Sequence, residues 1–439
     1  MTEVCVDLSA ARASGNVPAE PKPMCCRFCG GELRVSFADL GMSPLCEAFV
    51  PAGRAIEMEP FYPLHAFVCE SCHLVQLQEF VAPQDIFGEY AYFSSFSASW
   101  VEHARRYAEM AIERFGLGAR SKVFEVASND GYLLQHFAAR GVPVLGIEPA
   151  ANVAAVAMAK GIPCEVRFLG AASAEAIVDA HGQADLVLGN NVLAHVPDLN
   201  DFVAGLKRLL APGGVITMEF PHLRRLMEGN QFDTIYHEHF SYFSFLTAEK
   251  VFAAHGMVLF DVEELPTHGG SLRIYARQSA NESLPVGERV LALRQSEIDD
   301  GFLTLERYLG FEERIRETKR GLLAFLIEAK RQGKRVAAYG APGKGNTLLN
   351  YCGIRTDFID FAVDANPYKH GKFTPGTRIP IFAPEHVREA RPDYLLILPW
   401  NLRDEIAKVA AYIGEWGGRF VVPIPEVEVF DPPKAGAGR

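Results

Sequence analysis

The sequence predicts an α/β protein with two doubly wound parallel sheets, preceded by a small cysteine-bearing module. Three observations carry this. Apolar runs alternate with helical patterns from Lys122 to Phe220, a second alternation begins near Arg335, and two Cys-x-x-Cys pairs precede both. A chain of 439 residues exceeds one core and implies two or three domains, and 49% hydrophobic with 22% charged residues is ordinary for a globular protein.

Taken in order, residues 1–23 are rich in Ala, Pro and Ser and read as a frayed tail. Residues 24–85 form the cysteine module, in which Cys26, Cys29, Cys69 and Cys72 supply four thiolates to one tetrahedral zinc, and Gly30-Gly31 gives the first knuckle its tight turn. A closed four-thiolate site has no open coordination position, so this zinc is structural; a redox pair is the competing reading. Cys25 is a spare thiol, and Cys5, Cys46, Cys164 and Cys352 are solitary, so no disulfide framework is expected among the nine cysteines.

Residues 86–282 form the second domain. Its strands and helices read KVFEVAS, YLLQHFAARG, PVLGIEP, NVAAVAMAKG, ADLVLGNNVLAH, DFVAGLKRLLAPGG and VITMEF. The first strand ends in a loop of small residues that lets an adenosyl ligand approach the backbone, and the second ends in an acid that can accept both ribose hydroxyls. Asn190 and Asn191 close a third strand on the same carboxyl edge, where open α/β sheets bind ligands. The candidate cofactor residues are therefore Glu125, Ala127, Ser128, Asn129, Asp130, Gly131, Glu148, Pro149, Asn190 and Asn191. MVLFDVEELPTHGGSLRIYAR then reads as two strands around a turn.

Tyr236-His237-Glu238-His239 packs a phenol, two imidazoles and a carboxylate into four positions. His titrates near neutrality and can accept a proton that a Tyr or Glu neighbour helps to orient. In a helical turn Tyr236 and His239 share a face. His195 follows the third strand end, and Tyr90 and Tyr92 open an aromatic-hydroxyl run that suits either a lid or a helix entry.

Residues 283–334 are helical and charge-rich, a connection with a solvated face. Residues 335–439 read as the second parallel sheet, with Gly340 to Gly345 offering backbone N–H groups and the Lys344 ammonium to a phosphate. Asp364 follows 24 residues after Gly340, as in a dinucleotide fingerprint, but GAPGKG lacks the G-x-G-x-x-G spacing. A net charge of -11 argues against general nucleic-acid binding. No apolar run spans a bilayer and no secretory signal opens the chain, so a cytoplasmic location is expected and no membrane partner.

The cysteine module with LGMSPL, then GEYAYFSSFSASW, FEVASNDGYLL, NNVLAHVPD, FDTIYHEHFSYFS, THGGSLR and YGAPGKGNTLLN resemble the S-adenosylmethionine-dependent C-methyltransferases of nucleotide-linked deoxysugars, especially those acting at C3 of a dTDP-4-keto sugar. The resemblance covers nearly the whole chain. It implies a class I methyltransferase Rossmann-like core, a C-terminal Rossmann-like domain that holds a dTDP-linked substrate, and S-adenosylmethionine as methyl donor. It implies His239 as the base that removes the C3 proton, with Tyr236 and Glu238 lining the sugar site. Tyr236, His195 and Tyr90 are the candidate donors to the developing oxyanion, Tyr90 and Tyr92 belong to a lid, and Lys344 contacts substrate. Two other readings compete: an NAD-dependent nucleotide-sugar dehydrogenase or epimerase using the last domain, and an inactive zinc-dependent interaction protein. The sugar, C3 against C5, the base and the oligomeric state stay open.

Overall fold

The computed structural model describes residues 24–82 and 93–433, so the tail and both Tyr90 and Tyr92 lie outside the described residues. The N-terminal module contributes β1 (Val35–Ser43), β2 (Val50–Pro51), β3 (Tyr62–Val68) and β4 (Val75–Leu77). In β3, Leu64, Ala66 and Val68 are buried while their neighbours are partly open, the period of two that seats one face on a core.

The helix Ala98–Phe115 leads into β5 (Val123–Val126), β6 (Val144–Ile147), β7 (Cys164–Glu165), β8 (Ala184–Asn190), β9 (Leu210–Pro221), β10 (Ser241–Tyr242), β11 (Met257–Leu265) and β12 (Ser271–Gln278). Seven of them form one sheet in the order β11-β12-β9-β8-β5-β6-β7, parallel except that β12 runs against both neighbours. The chain leaves β5 toward β6 on one side and returns to β8 on the other, so the ligand crevice of an open α/β sheet falls at the end of β5. Ala211 to Gly214 lie within β9 as a register shift opposite Ala184 and Leu186.

β13 (Val336–Tyr339), β14 (Ala362–Val363), β15 (Lys372–Phe373), β16 (Ile381–Phe382), β17 (Tyr394–Ile397), β18 (Arg419–Val422) and β19 (Glu428–Phe430) complete the chain. The last sheet has the order β16-β14-β13-β17-β18-β19, with only β19 antiparallel. Its own reversal point is the end of β13, where Gly340 to Lys344 lie.

The connection is two helices, Glu288–Asp299 and Phe311–Arg331, and one of its charges is not solvated. Glu297 is fully buried: its carboxylate accepts from Phe245 N at 2.8 Å and Leu246 N at 2.9 Å, and lies 2.6 Å from His222 Nε2. The first turn of the helix Phe245–Ala254 leaves N–H groups unpaired, and Glu297 satisfies two of them.

The modules interlock. β10 pairs with β4 and so completes the N-terminal sheet, while β2 pairs with β15 of the last domain. One core joins Phe37, Val68, Phe232, Ile235, Leu348 and Leu396 across all three regions. Phe232 and Ile235 are both fully buried and pin the backbone on either side of Asp233, each burial contributing roughly 1.5–3 kcal/mol.

Candidate functional site

The four sulfurs of Cys26, Cys29, Cys69 and Cys72 lie within 4.8 Å of one another, and the pairs Cys26–Cys72 and Cys29–Cys69 are each 3.5 Å apart. A zinc with Zn–S bonds of about 2.3 Å needs tetrahedron edges of about 3.8 Å, so the donor set fits. Gln76 Nε2 donates to Cys26 Sγ at 3.1 Å, an outer contact of the kind that orients metal ligands.

At the end of β5, Ala127, Asn129 and Gly131 all have positive φ (55°, 50° and 76°). Such a bend is costly for Ala and better tolerated by Asn and Gly, and it turns the loop tightly over the sheet edge. Asn129 N and Ala150 N each donate to Glu148 at 2.9 Å, which holds that carboxylate at the end of β6, directly before Pro149. Asp130 pairs with Lys160 at 3.0 Å, and Ser128 packs against Gly146, where a Cβ would lie 2.4 Å from its oxygen. Glu125 lies fully buried beneath the loop, where burial, then Glu148 and Asp130, push its carboxyl well above the usual range. Asn190 Nδ2 and Asn191 Oδ1 are buried with no partner among the described residues. An edge that leaves such groups for a ligand fits S-adenosylmethionine. Ser94 N donates to Asn129 Oδ1 at 2.8 Å, and Ser97 caps the helix Ala98–Phe115, so this part of the aromatic-hydroxyl run is a helix entry.

The segment Phe232 to His239 is not helical beyond the 3-10 turn Phe232–Thr234, yet a following turn still brings Tyr236 against His239, the rings tilted with centroids 4.0 Å apart. His239 Nδ1 lies 2.9 Å from the Thr234 carbonyl, which can only accept; the proton is therefore on Nδ1 and Nε2 carries the lone pair. His195 meets His239 edge-on at 4.7 Å. Burial first, and then His195, hold the His239 imidazole well below its ordinary value. His195 is lowered to about 4, again by burial.

The other two members of the motif contact the N-terminal module. His237 Nε2 donates to Pro63 O at 3.2 Å, toward the N-terminal sheet. Glu238 receives the Cys46 thiol at 3.7 Å, and burial together with Glu238 raises the Cys46 thiol well above its usual value.

Lys344 is brought to this same region from the last domain. It lies 4.7 Å over the Trp400 ring, donates to Asn401 Oδ1 at 2.8 Å, and is close enough to His239 and His268 to depress both. Trp400 Nε1 in turn donates to Asp233 Oδ2 at 2.8 Å.

Sequence reasoning passed over Asp233, Trp400, Glu219 and His268. Glu219, at the end of β9, is held down to about 2: burial opposes ionisation, but the His103 hydrogen bond and Arg273 overcome it. Thr267 Oγ1 also donates to Glu219, at 2.9 Å. A histidine beside Gly-Gly in a tight hairpin was the one available sign of His268. A cleft of about 670 Å3 bordered by His103, Arg106 and Arg273 lies beyond Glu219 and is lined by none of the sequence candidates.

Three family models match the chain: a zinc binding domain over residues 26–87, a methyltransferase domain over 100–262, and a C-methyltransferase C-terminal domain over 266–425. The C-methyltransferase NovU of Streptomyces niveus is 38% identical over 406 residues, covering 92% of this chain and 96% of that protein. A ubiquinone biosynthesis O-methyltransferase of Rhizobium leguminosarum is 26% identical over 154 residues, covering 29% of this chain and 60% of that one. Magnesium protoporphyrin IX methyltransferase of Synechocystis, solved with bound SAH, aligns at 14% identity and a TM-score of 0.33, over 41% of this chain and 83% of that one. No helix among the described residues is long and apolar enough to cross a membrane. With a relative this similar along nearly its whole length, and with the zinc-binding and methyltransferase modules both in place, the chain belongs to the S-adenosylmethionine-dependent C-methyltransferases.

Proposed function

We propose that the protein methylates C3 of a dTDP-linked 4-keto-deoxysugar, with His239 as the base. The observation that carries this is the tautomer of His239: Nδ1–H is fixed on the Thr234 carbonyl, leaving a buried Nε2 lone pair. A ketone at C4 acidifies the C3 hydrogen, which Nε2 removes. S-adenosylmethionine supplies the electrophilic methyl group. An imidazole is a much weaker base than a ketone enolate, so donors must stabilise the developing charge on the C4 oxygen. Tyr236 and His195 lie against His239 and suit that task, with Tyr90 the third donor. Glu238 acts from the Cys46 side of the sugar site. The loop Ala127 to Gly131, with Glu125 beneath it, holds the cofactor together with Glu148, Pro149, Asn190 and Asn191. Lys344 and the Tyr90/Tyr92 segment hold the nucleotide sugar between the domains, and the dTDP handle follows from the family resemblance.

The test is His239→Gln with S-adenosylmethionine and dTDP-4-keto-6-deoxyglucose. Turnover should fall by about 10²–10⁴, the range for a lost general base, while the thermal shift given by S-adenosylhomocysteine is kept. Loss of that shift with turnover, or a product whose new methyl resonance is not on C3, contradicts the reading.

A further inference from the structure

His268 sits in the turn between β11 and β12 at φ 54°, ψ 21°, a left-handed conformation uncommon outside glycine that its surroundings hold in place. They do so from four directions. Thr267 is tied to Glu219, Gln231 Nε2 donates to Gly269 O at 2.8 Å, His222 N donates to Gly270 O at 3.0 Å, and Trp400 closes over Gly269, where a Cβ would lie 2.6 Å from the indole. The strained residue is thus clamped by the end of β9, the catalytic segment and the last domain. Trp100 packs on its ring at 5.0 Å. Asn191, directly after β8, donates its Nδ2 to His268 Nε2 at 2.8 Å, which leaves the ring proton on Nδ1. The residue is half-buried, and its Nδ1 has no partner among the described residues. The ring therefore offers an open N–H between the cofactor edge and the His239 cluster. Burial, and then Lys344, hold its pKa at about 4, so it stays neutral and keeps that donor.

We infer that His268 is a further catalytic residue, whose Nδ1–H donates to the C4 oxygen of the substrate as charge develops there. This rests on the proposed reading of the substrate. As the C3–H bond breaks, the proton passes to His239 Nε2 and the bonding pair forms the C3–C4 double bond. The carbonyl pair moves onto oxygen, where His268 meets it. When C3 takes the methyl group, the S–CH3 pair returns to sulfur, the carbonyl re-forms, and the His239 proton leaves to solvent.

The experiment follows C3 hydrogen exchange in D2O, with S-adenosylhomocysteine bound and dTDP-4-keto-6-deoxyglucose as probe, so that proton removal is seen without methyl transfer. His268→Gly and His268→Asn both tolerate positive φ, and either one that folds serves the test. Exchange and kcat should fall together by about 10²–10³, the usual effect of losing one oxyanion donor, with the S-adenosylhomocysteine thermal shift unchanged. Added imidazole should restore part of the exchange in His268→Gly. Wild-type exchange in the variants overturns the inference, as does loss of the thermal shift along with exchange, which would make His268 a support for the cofactor pocket. Absence of exchange in the wild-type enzyme instead overturns the proposed substrate, and this inference with it.

Discussion

At His239 the proton is held on Nδ1 by the Thr234 carbonyl, so burial lowers the basicity of the ring while the lone pair stays on Nε2. Asp233, six residues earlier, is in the opposite situation. Burial pushes its carboxyl from 3.8 up to about 6, against the pull of the Lys344 ammonium and the Trp400 indole. A carboxyl harder to ionise in the folded chain favours folding while protonated, so this contribution is full below the unfolded value and is lost as pH rises to about 6. The loss amounts to about 3 kcal/mol at most. Asp233→Asn should therefore raise Tm relative to wild type at pH 8 and change it little at pH 4, as read by calorimetry. Equal shifts at both pH values would contradict this origin. Asp233 was illegible in the sequence because its partner Trp400 is 167 positions away.

Among the elements, the zinc knuckles were legible because two Cys-x-x-Cys turns carry their own geometry and need only a sheet to bring them together. The four-thiolate site lies at the border of the methyltransferase core, since Cys26, Cys69 and Cys72 pack with Leu33, Leu74 and that core. A strong chelator should act slowly, with loss of turnover tracking loss of circular dichroism, and Cys69→Ser should purify with little zinc by atomic absorption. Rapid inactivation with the fold intact would place a metal in the chemistry instead. The helix Glu288–Asp299 shows the limit of such reading. Its charge pattern predicts a solvated face, and it is one. Glu297 departs from that face because a helix start 51 and 52 residues earlier in the chain needs its oxygens.

On the scale of the whole molecule, the three regions share strands and a core. β10 leaves the methyltransferase segment to finish the N-terminal sheet, β2 pairs with β15, and one apolar core runs through all three. A chain ending at Lys334 would uncover Phe232, Ile235 and Leu246, which pack in that core. It should bind a hydrophobic dye and lose the sharp thermal transition of the full chain. A truncated chain that melts cooperatively at the full-length Tm would show that the last domain is only appended. The same interlocking places Lys344, expected only on a nucleotide platform, and Trp400, which the sequence did not single out, beside the segment Asp233 to His239.

The sequence by itself determined the alternation that builds both sheets, the thiolate set, the strand-end loop from Glu125 to Gly131 and the YHEH segment. These are local patterns, set by periodicities of 2 and 3.6 and by turn sterics within a few residues. Only the tertiary structure decided which nitrogen of His239 carries the proton, that Glu238 faces Cys46 while His237 faces Pro63, and that His268 is clamped in a left-handed bend. Each of those depends on hydrogen bonds and burial supplied by elements remote in the chain, and a side chain's protonation and direction follow its surroundings rather than its neighbours in sequence.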